Sequence, residues 1–243
     1  MQVQQDITRL SNGVSNFYLI EEGGKFILVD AGAAGDWRLF AGTMAKLGAK
    51  PEALEAVLLT HAHADHVGFA ERARSSAGAA VWVHQDDAAV AKGARPGPND
   101  GKMTAYLLRL ECYRTVVGLL LRGGARIVPV KEASTFADGE TLDLPGTPRV
   151  VHAPGHTPGS SALLLERQRV LLTGDSLVTR NPLTGRLGPQ IMPSAFNRDT
   201  EQALRSLDIV ASVPAQVLLP GHGEPWTEGA AEAARRARAA GRS

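Results

Sequence analysis

Apolar runs of four to eight residues recur along the chain between turn-forming residues, and each reads as a β-strand. The pattern predicts strands at 2–9, 14–21 and 25–29, then a helix over 35–48 that Gly48 and Pro51 end. A second helix is expected over 67–77, followed by a buried strand at Val81-Trp82-Val83. Further strands are expected at 126–130, 141–144, 148–152, 161–166 and 169–173. A helix at 200–211, a strand at 216–219 and a terminal helix over 227–240 complete the series. Strand runs closed by helices in both halves suggest a four-layered αββα sandwich, two mixed sheets face to face with helices outside. Periodicity alone leaves other α/β or α+β arrangements open.

Two regions stand outside that frame. Residues 85–125 read as a helical insert: a Gly/Pro-rich stretch, 93–101, precedes Met103, Tyr106, Leu107, Leu110, Tyr113, Val116, Val117 and Leu120 at helical spacing. Most of these side chains are expected to pack as core, and the insert to offer one wall of an apolar pocket or a dimer contact. Residues 177–197 read as a long irregular loop carrying Arg180, Asn181, Arg186, Phe196 and Asn197, the rim of a substrate site. Tyr106, Arg180 and Phe196 are the substrate-contacting residues expected from the two regions.

Candidate chemistry concentrates in Thr60-His61-Ala62-His63-Ala64-Asp65-His66, directly after Val57-Leu58-Leu59. Four potential ligands in six residues supply imidazole nitrogen and carboxylate oxygen, a set suited to zinc and less exclusively to manganese or iron. In an extended stretch His61 and His63 point the same way, whereas Asp65 and His66 fall where the chain turns into a helix. One loop can thus feed two neighbouring metals, which leaves both incomplete. Three later apolar runs, each ending in a tight turn, lead to His156, Asp175 and His222. Strands delivering ligands from their carboxyl ends is where α/β architectures place chemistry. His152 and His84 read as structural residues beside the cleft, and Arg235, Arg236 and Arg238 as solvated residues near a helix end.

Read together, these segments resemble the metallo-β-lactamase-fold hydrolases, whose signature is His-x-His-x-Asp-His followed by a distant His, an Asp and a final His. The resemblance covers nearly the whole chain and implies the αββα fold. It implies that His61, His63 and His156 ligate a first metal, that Asp65, His66 and His222 ligate a second, and that Asp175 bridges them. Asp30, in Val29-Asp30-Ala31-Gly32, matches an acidic position that orients the ligands by hydrogen bonding rather than coordinating. The alternative for Asp30, capping the helix near residue 36, places it several residues too early.

Two divalent ions, zinc by expectation, make a shared hydroxide the nucleophile. Asp65 then orients it and takes its proton, and Asp65 and Asp175 are the catalytic carboxylates. The expected activity is hydrolysis of a small ester, lactone or thioester. Penicillin hydrolysis is disfavoured, because zinc β-lactamases generally lack His66 combined with a bridging Asp175. Glyoxalase II-type thioesterases add a helical domain where this chain has a short tail after His222. Acyl-homoserine lactonases place a tyrosine after the bridging Asp, and Tyr18, Tyr106 and Tyr113 all precede Asp175. The rivals are a mononuclear iron oxidoreductase resembling persulfide dioxygenases, and a phosphodiesterase or nuclease.

Composition changes this picture little. A chain of 243 residues that is 44% hydrophobic holds one sizeable core, and ligands spread from 61 to 222 favour a single domain over 1–243. A formal charge of +1 marks no nucleic-acid binder. The amino terminus lacks a signal-like apolar core, no run is long enough for a membrane span, and Cys112 stands alone. A cytoplasmic enzyme acting on a small molecule is expected, with a homodimer open.

Overall fold

The fold was determined as a computed structural model, which describes residues 1–124 and 127–242. Seven strands form the larger sheet in sequential order: β1 (Gln2–Gln4), β2 (Ile7–Ser11), β3 (Asn16–Glu22), β4 (Lys25–Val29), β5 (Leu54–Leu59), β6 (Ala80–His84) and β7 (Ser134–Phe136). Its first half is antiparallel, and β4 to β7 run parallel. The smaller sheet combines β8 (Arg149–His152), β9 (Ser161–Leu165), β10 (Val170–Gly174) and β13 (Val217–Pro220), with β10 and β13 parallel. A separate hairpin pairs β11 (Val178–Arg180) with β12 (Leu187–Gln190).

Side-chain alternation sorts the residues into three apolar layers. Tyr18, Ile20, Ile27 and Val29 of the larger sheet meet Leu163, Leu165, Val170 and Leu172 of the smaller one between the sheets. The opposite faces of the same strands turn outward. Phe17, Leu19 and Leu28 pack with Phe40 and Met44 of α1 (Trp37–Lys46). Leu164, Leu171 and Leu218 pack with Leu207 of α6 (Thr200–Ser212) and Ala233 of α7 (Ala230–Ala240). The result is the αββα sandwich expected from the sequence, with two mixed sheets. Among the described residues no helix is long and apolar enough to cross a membrane.

Several predicted elements are corrected. The strand expected at 2–9 is two strands, because Asp6 adopts a left-handed φ of 60° and turns the chain between β1 and β2. Residues 127–130 form no strand, and residue 126 lies outside the described residues. Of 141–144, only Thr141 makes an isolated bridge, to Arg149, although Leu142 still fills the inter-sheet layer. The edge strand β7, short and rich in Ser and Thr, gave no periodic signal. The helix expected at 67–77 is broken into α2 (Ala64–Val67), α3 (Ala70–Arg72) and a π-helical turn, Ala73–Ala77. The break lets its backbone bond to the loop after β4: Ala31 N–H donates to His66 O, and Gly68 N–H to Gly32 O. A Cβ on Gly68 would lie 2.2 Å from the Ala33 carbonyl carbon, so only glycine fits this crossing.

In the insert, α4 (Ala88–Ala91) precedes an exposed loop, a 3-10 turn at Met103–Tyr106 and α5 (Leu110–Leu121). Residue 125, the last of the expected insert, lies outside the described residues. Most insert residues expected as core are in fact exposed; of them Tyr106 is the buried one, packed with Cys112, Leu183 and Ala195. The loop 177–197 contains the β11–β12 hairpin rather than irregular chain alone.

Candidate metal centre

Each chemically interesting side chain sits just past a strand's carboxyl end. Asp30 follows β4, His61 follows β5, His156 lies in the turn after β8, Asp175 follows β10 and His222 lies after β13. Two groups of donors assemble there, His61 with His63 and His156, and Asp65 with His66 and His222; within each, the donor atoms lie within 4.8 Å of one another. Between the groups stands the Asp175 carboxylate. Its oxygens are 3.2 Å from His222 Nε2, 3.4 Å from His156 Nε2, 3.6 Å from His66 Nε2 and 3.8 Å from His61 Nε2.

Hydrogen bonds on the far side of the rings fix which nitrogen faces inward. His66 Nδ1–H donates to Asp30 Oδ2 at 2.8 Å, and His222 Nδ1–H to the Val14 carbonyl at 2.7 Å. Both partners only accept, so the proton sits on Nδ1 and Nε2 turns to the centre. The Thr60 hydroxyl donates to Asp30 Oδ2 at 2.8 Å and accepts from His61 Nδ1–H at 3.0 Å. His156 Nδ1–H donates to Asn197 Oδ1 at 3.1 Å, while the Asn197 amide donates to Met192 O at 2.7 Å, which settles the orientation of that amide. His63 instead presents Nδ1, 2.9 Å from His156 Nε2.

Asp30 therefore belongs to the shell that orients the imidazoles, although it also falls within 4.8 Å of His61 and His66 nitrogens. It also accepts from the Thr60 backbone N–H and occupies a strained left-handed φ of 60°. Strain of that kind persists where surrounding bonds over-determine it.

Three of those inward atoms have nothing to bond to among the described residues. His61 Nε2, His66 Nε2 and Asp175 Oδ1 are buried without a hydrogen-bond partner. Orphaned polar atoms are costly, and here they converge as lone pairs at spacings near the ~3.4 Å that separates two donors each ~2.1 Å from one tetrahedral ion. The residues fit divalent metal. Gly221 keeps the space open, since a Cβ there would fall 2.2 Å from Asp175 Oδ1 and 2.8 Å from the His66 ring.

Electrostatics divide the histidines. Burial, reinforced by neighbouring imidazoles, holds His61 well below its ordinary pKa and brings His156 down to about 3. Burial, the largest influence, also lowers His63, with Asp65 and Asp175 opposing. For His66 burial opposes the charge, yet Asp175, Asp65 and Asp30 outweigh it and raise the pKa; for His222 burial is likewise overcome, chiefly by Asp175. Burial works against ionising Asp65 and Asp175, but the nearby imidazoles keep both well below the usual carboxylate range.

Sequence reasoning missed two anchors. Buried Asp87 accepts from Ala62 N–H at 2.9 Å, Thr157 Oγ1–H at 2.7 Å and Gly159 N–H at 2.8 Å, tying the His61–His63 loop to the His156 turn. It follows β6 as Asp30 follows β4, and that repeated placement was its signal. Thr60 left no signal beyond adjacency. His84 and His152 stay outside the centre, their rings stacked at 4.1 Å.

A cavity of about 160 Å³ opens on the centre past Asp65, Asp175 and His222, and its far wall is apolar: Leu119, Pro182, Met192 and Phe196. Of the expected substrate residues, Phe196 lines it. Arg180 lines an adjoining pocket that shares Thr115, Pro182 and His222, and is held by Glu111 at 2.6 Å. Tyr106 lines neither; it is buried in the small core beneath the insert.

Comparison with known proteins shows the fold and the family. The chain is 27% identical over 229 residues to a probable metallo-hydrolase, YflN, of Bacillus subtilis strain 168, covering 88% of this chain and 82% of that protein. It superposes with a TM-score of 0.70 on the metallo-beta-lactamase family protein TTHA1429 of Thermus thermophilus, at 25% identity, covering 98% of this chain and 80% of that one. A second similar structure, TTHA1623 in a di-iron-bound form, shares 25% identity with a TM-score of 0.61, over 91% of this chain and 93% of that one. The model of the metallo-beta-lactamase superfamily matches residues 10–222, all of the ligand-bearing strands included, and the chain belongs to that superfamily of metal-dependent hydrolases.

Proposed function

We propose that the protein is a dinuclear metal-dependent hydrolase that cleaves a small ester, lactone or thioester with an apolar acyl part. The observation that carries this reading is the Asp175 carboxylate, set between two assembled donor groups and keeping a buried oxygen without a partner. His61, His63 and His156 would hold one ion, and Asp65, His66 and His222 the other, with Asp175 shared. Zinc suits this nitrogen-rich donor set, and the di-iron-bound relative keeps iron as the alternative. When bound, such ions make water a nucleophile near neutral pH and polarise the carbonyl under attack.

The residues supply the rest. Asp65 keeps partial solvent access and is ionised at neutral pH, so its Oδ2 can orient the attacking water and hold the proton given up as the leaving group departs. Leu119, Met192 and Phe196 exclude water from the far side and seat an apolar chain. That wall favours an acyl substrate over a phosphodiester. A mononuclear iron oxidoreductase would need only the first donor group, and the second is just as completely assembled.

The test is elemental analysis of the purified protein together with a panel of esters, lactones and thioesters. About two metals per chain and turnover of one of these classes are expected. Asp175→Ala should lose dimetal occupancy and hydrolysis together; an active Asp175→Ala enzyme refutes the shared carboxylate. One tightly held iron with oxygen consumption would put the oxidoreductase in its place.

A further inference from the structure

Eight large apolar side chains between Leu107 and Leu121 are exposed to solvent, Leu108 completely, Leu121 at 83% and Leu110 at 63%. Together they expose roughly 900 Å² of mostly apolar surface, beyond the roughly 300–600 Å² of the largest patch on a typical monomer. That is comparable to the ~800 Å² that each partner contributes to a standard interface. None of this surface serves the metal centre. The opposite side of α5 does that: Leu119 and Thr115 line the cavity, Thr115 Oγ1–H donates to Pro182 O at 2.5 Å, and Glu111 pairs with Arg180.

Within the patch, Leu110, Tyr113, Val117 and Leu120 follow at intervals of three and four residues. That spacing is a helix-pairing seam, in which side chains of one helix enter gaps of another. No charged residue interrupts it. Arg114, at the edge of the seam, is turned into an ion pair with Glu111 at 2.6 Å, as a polar rim residue would be. The seam also reads the same in either direction, its intervals being three, four and three residues.

We propose that this face is covered by a second copy of the chain, the two α5 helices pairing antiparallel about a two-fold axis near Val116 and Val117. A patch that matches itself when reversed is what an isologous dimer requires. Pairing would also clamp the helix whose inner side walls the cavity.

Sedimentation equilibrium of the whole metal-loaded protein, from about 1 to 100 µM, tests this. A dimer is expected, with the dissociation constant raised at least about a hundredfold in Val117→Glu/Leu121→Glu, since buried anchors dominate interface energy. Both positions are exposed in the single chain, so the variant should fold and keep its metal content. Val117→Cys should crosslink two chains under mild oxidation, because residues near a two-fold axis meet their own copies and the native Cys112 is buried. A wild-type monomer at 100 µM, a dimer indifferent to the glutamates, or a monomer that instead co-sediments with phosphatidylcholine or phosphatidylglycerol vesicles each overturns the proposal.

Discussion

Asp30 Oδ2 and His66 Nδ1 lie 2.8 Å apart with both side chains buried, and the same carboxylate oxygen also accepts the Thr60 hydroxyl that orients His61. One carboxylate thus aims an imidazole in each donor group.

Replacing it separates orientation from folding. Asp30→Asn keeps the shape but turns one accepting oxygen into a donor, so either His66 Nδ1–H and the Thr60 hydroxyl together, or the Thr60 backbone N–H alone, lose their acceptor. Metal affinity should fall roughly 10- to 100-fold, read by competition with a chelator. Asp30→Ala, which also strands the Thr60 N–H, should cost about 3–5 kcal/mol in the metal-free protein, measured by denaturant unfolding. Unchanged affinity in Asp30→Asn would show that the imidazoles are held by packing alone.

Metal binding should be proton-linked. His66 and His222 have pKa values raised by the carboxylates around them, so below those raised values each carries a proton that a metal must displace. His61 and His156, depressed mainly by burial, are already neutral near pH 6 and release none. Affinity should therefore climb with pH and level off above the raised values. Calorimetric titration with zinc at pH 6, repeated in buffers of different ionisation enthalpy, should show about two protons leaving per chain. No release at pH 6 would contradict the raised values.

Substrate choice should follow the apolar wall. Phe196→Ala or Leu119→Ala enlarges the cavity and removes contact with an acyl chain, where each methylene seated is worth about 0.8 kcal/mol. KM for a four-carbon acyl ester should rise about tenfold relative to the acetyl ester, with metal content unchanged. A loss shared equally by both esters would move the acyl site elsewhere.

Much of this was legible in the chain because the relevant signals are local. His61, His63, Asp65 and His66 share one loop, and His156, Asp175 and His222 each follow an apolar run, so strand-end placement could be read from neighbours in sequence. The mistakes have physical causes too. The apolar spacing of α5 cannot say whether its face meets the sandwich or solvent, and most of it meets solvent. Nor can helical periodicity foresee the break at Gly68, which the loop at 31–33 imposes from a distant part of the chain.

The sequence by itself determined which donors are available, their residue types, and the alternation that splits the strands into an inter-sheet layer and two outer ones. Only the tertiary structure decided which ring nitrogen faces the centre, that Asp87 and Asn197 anchor the ligand loops, and that Phe196 lines the cavity while Tyr106 does not. Those outcomes depend on hydrogen bonds and contacts between segments far apart in the chain, and periodicity, which reports only a residue's near neighbours, carries no record of them.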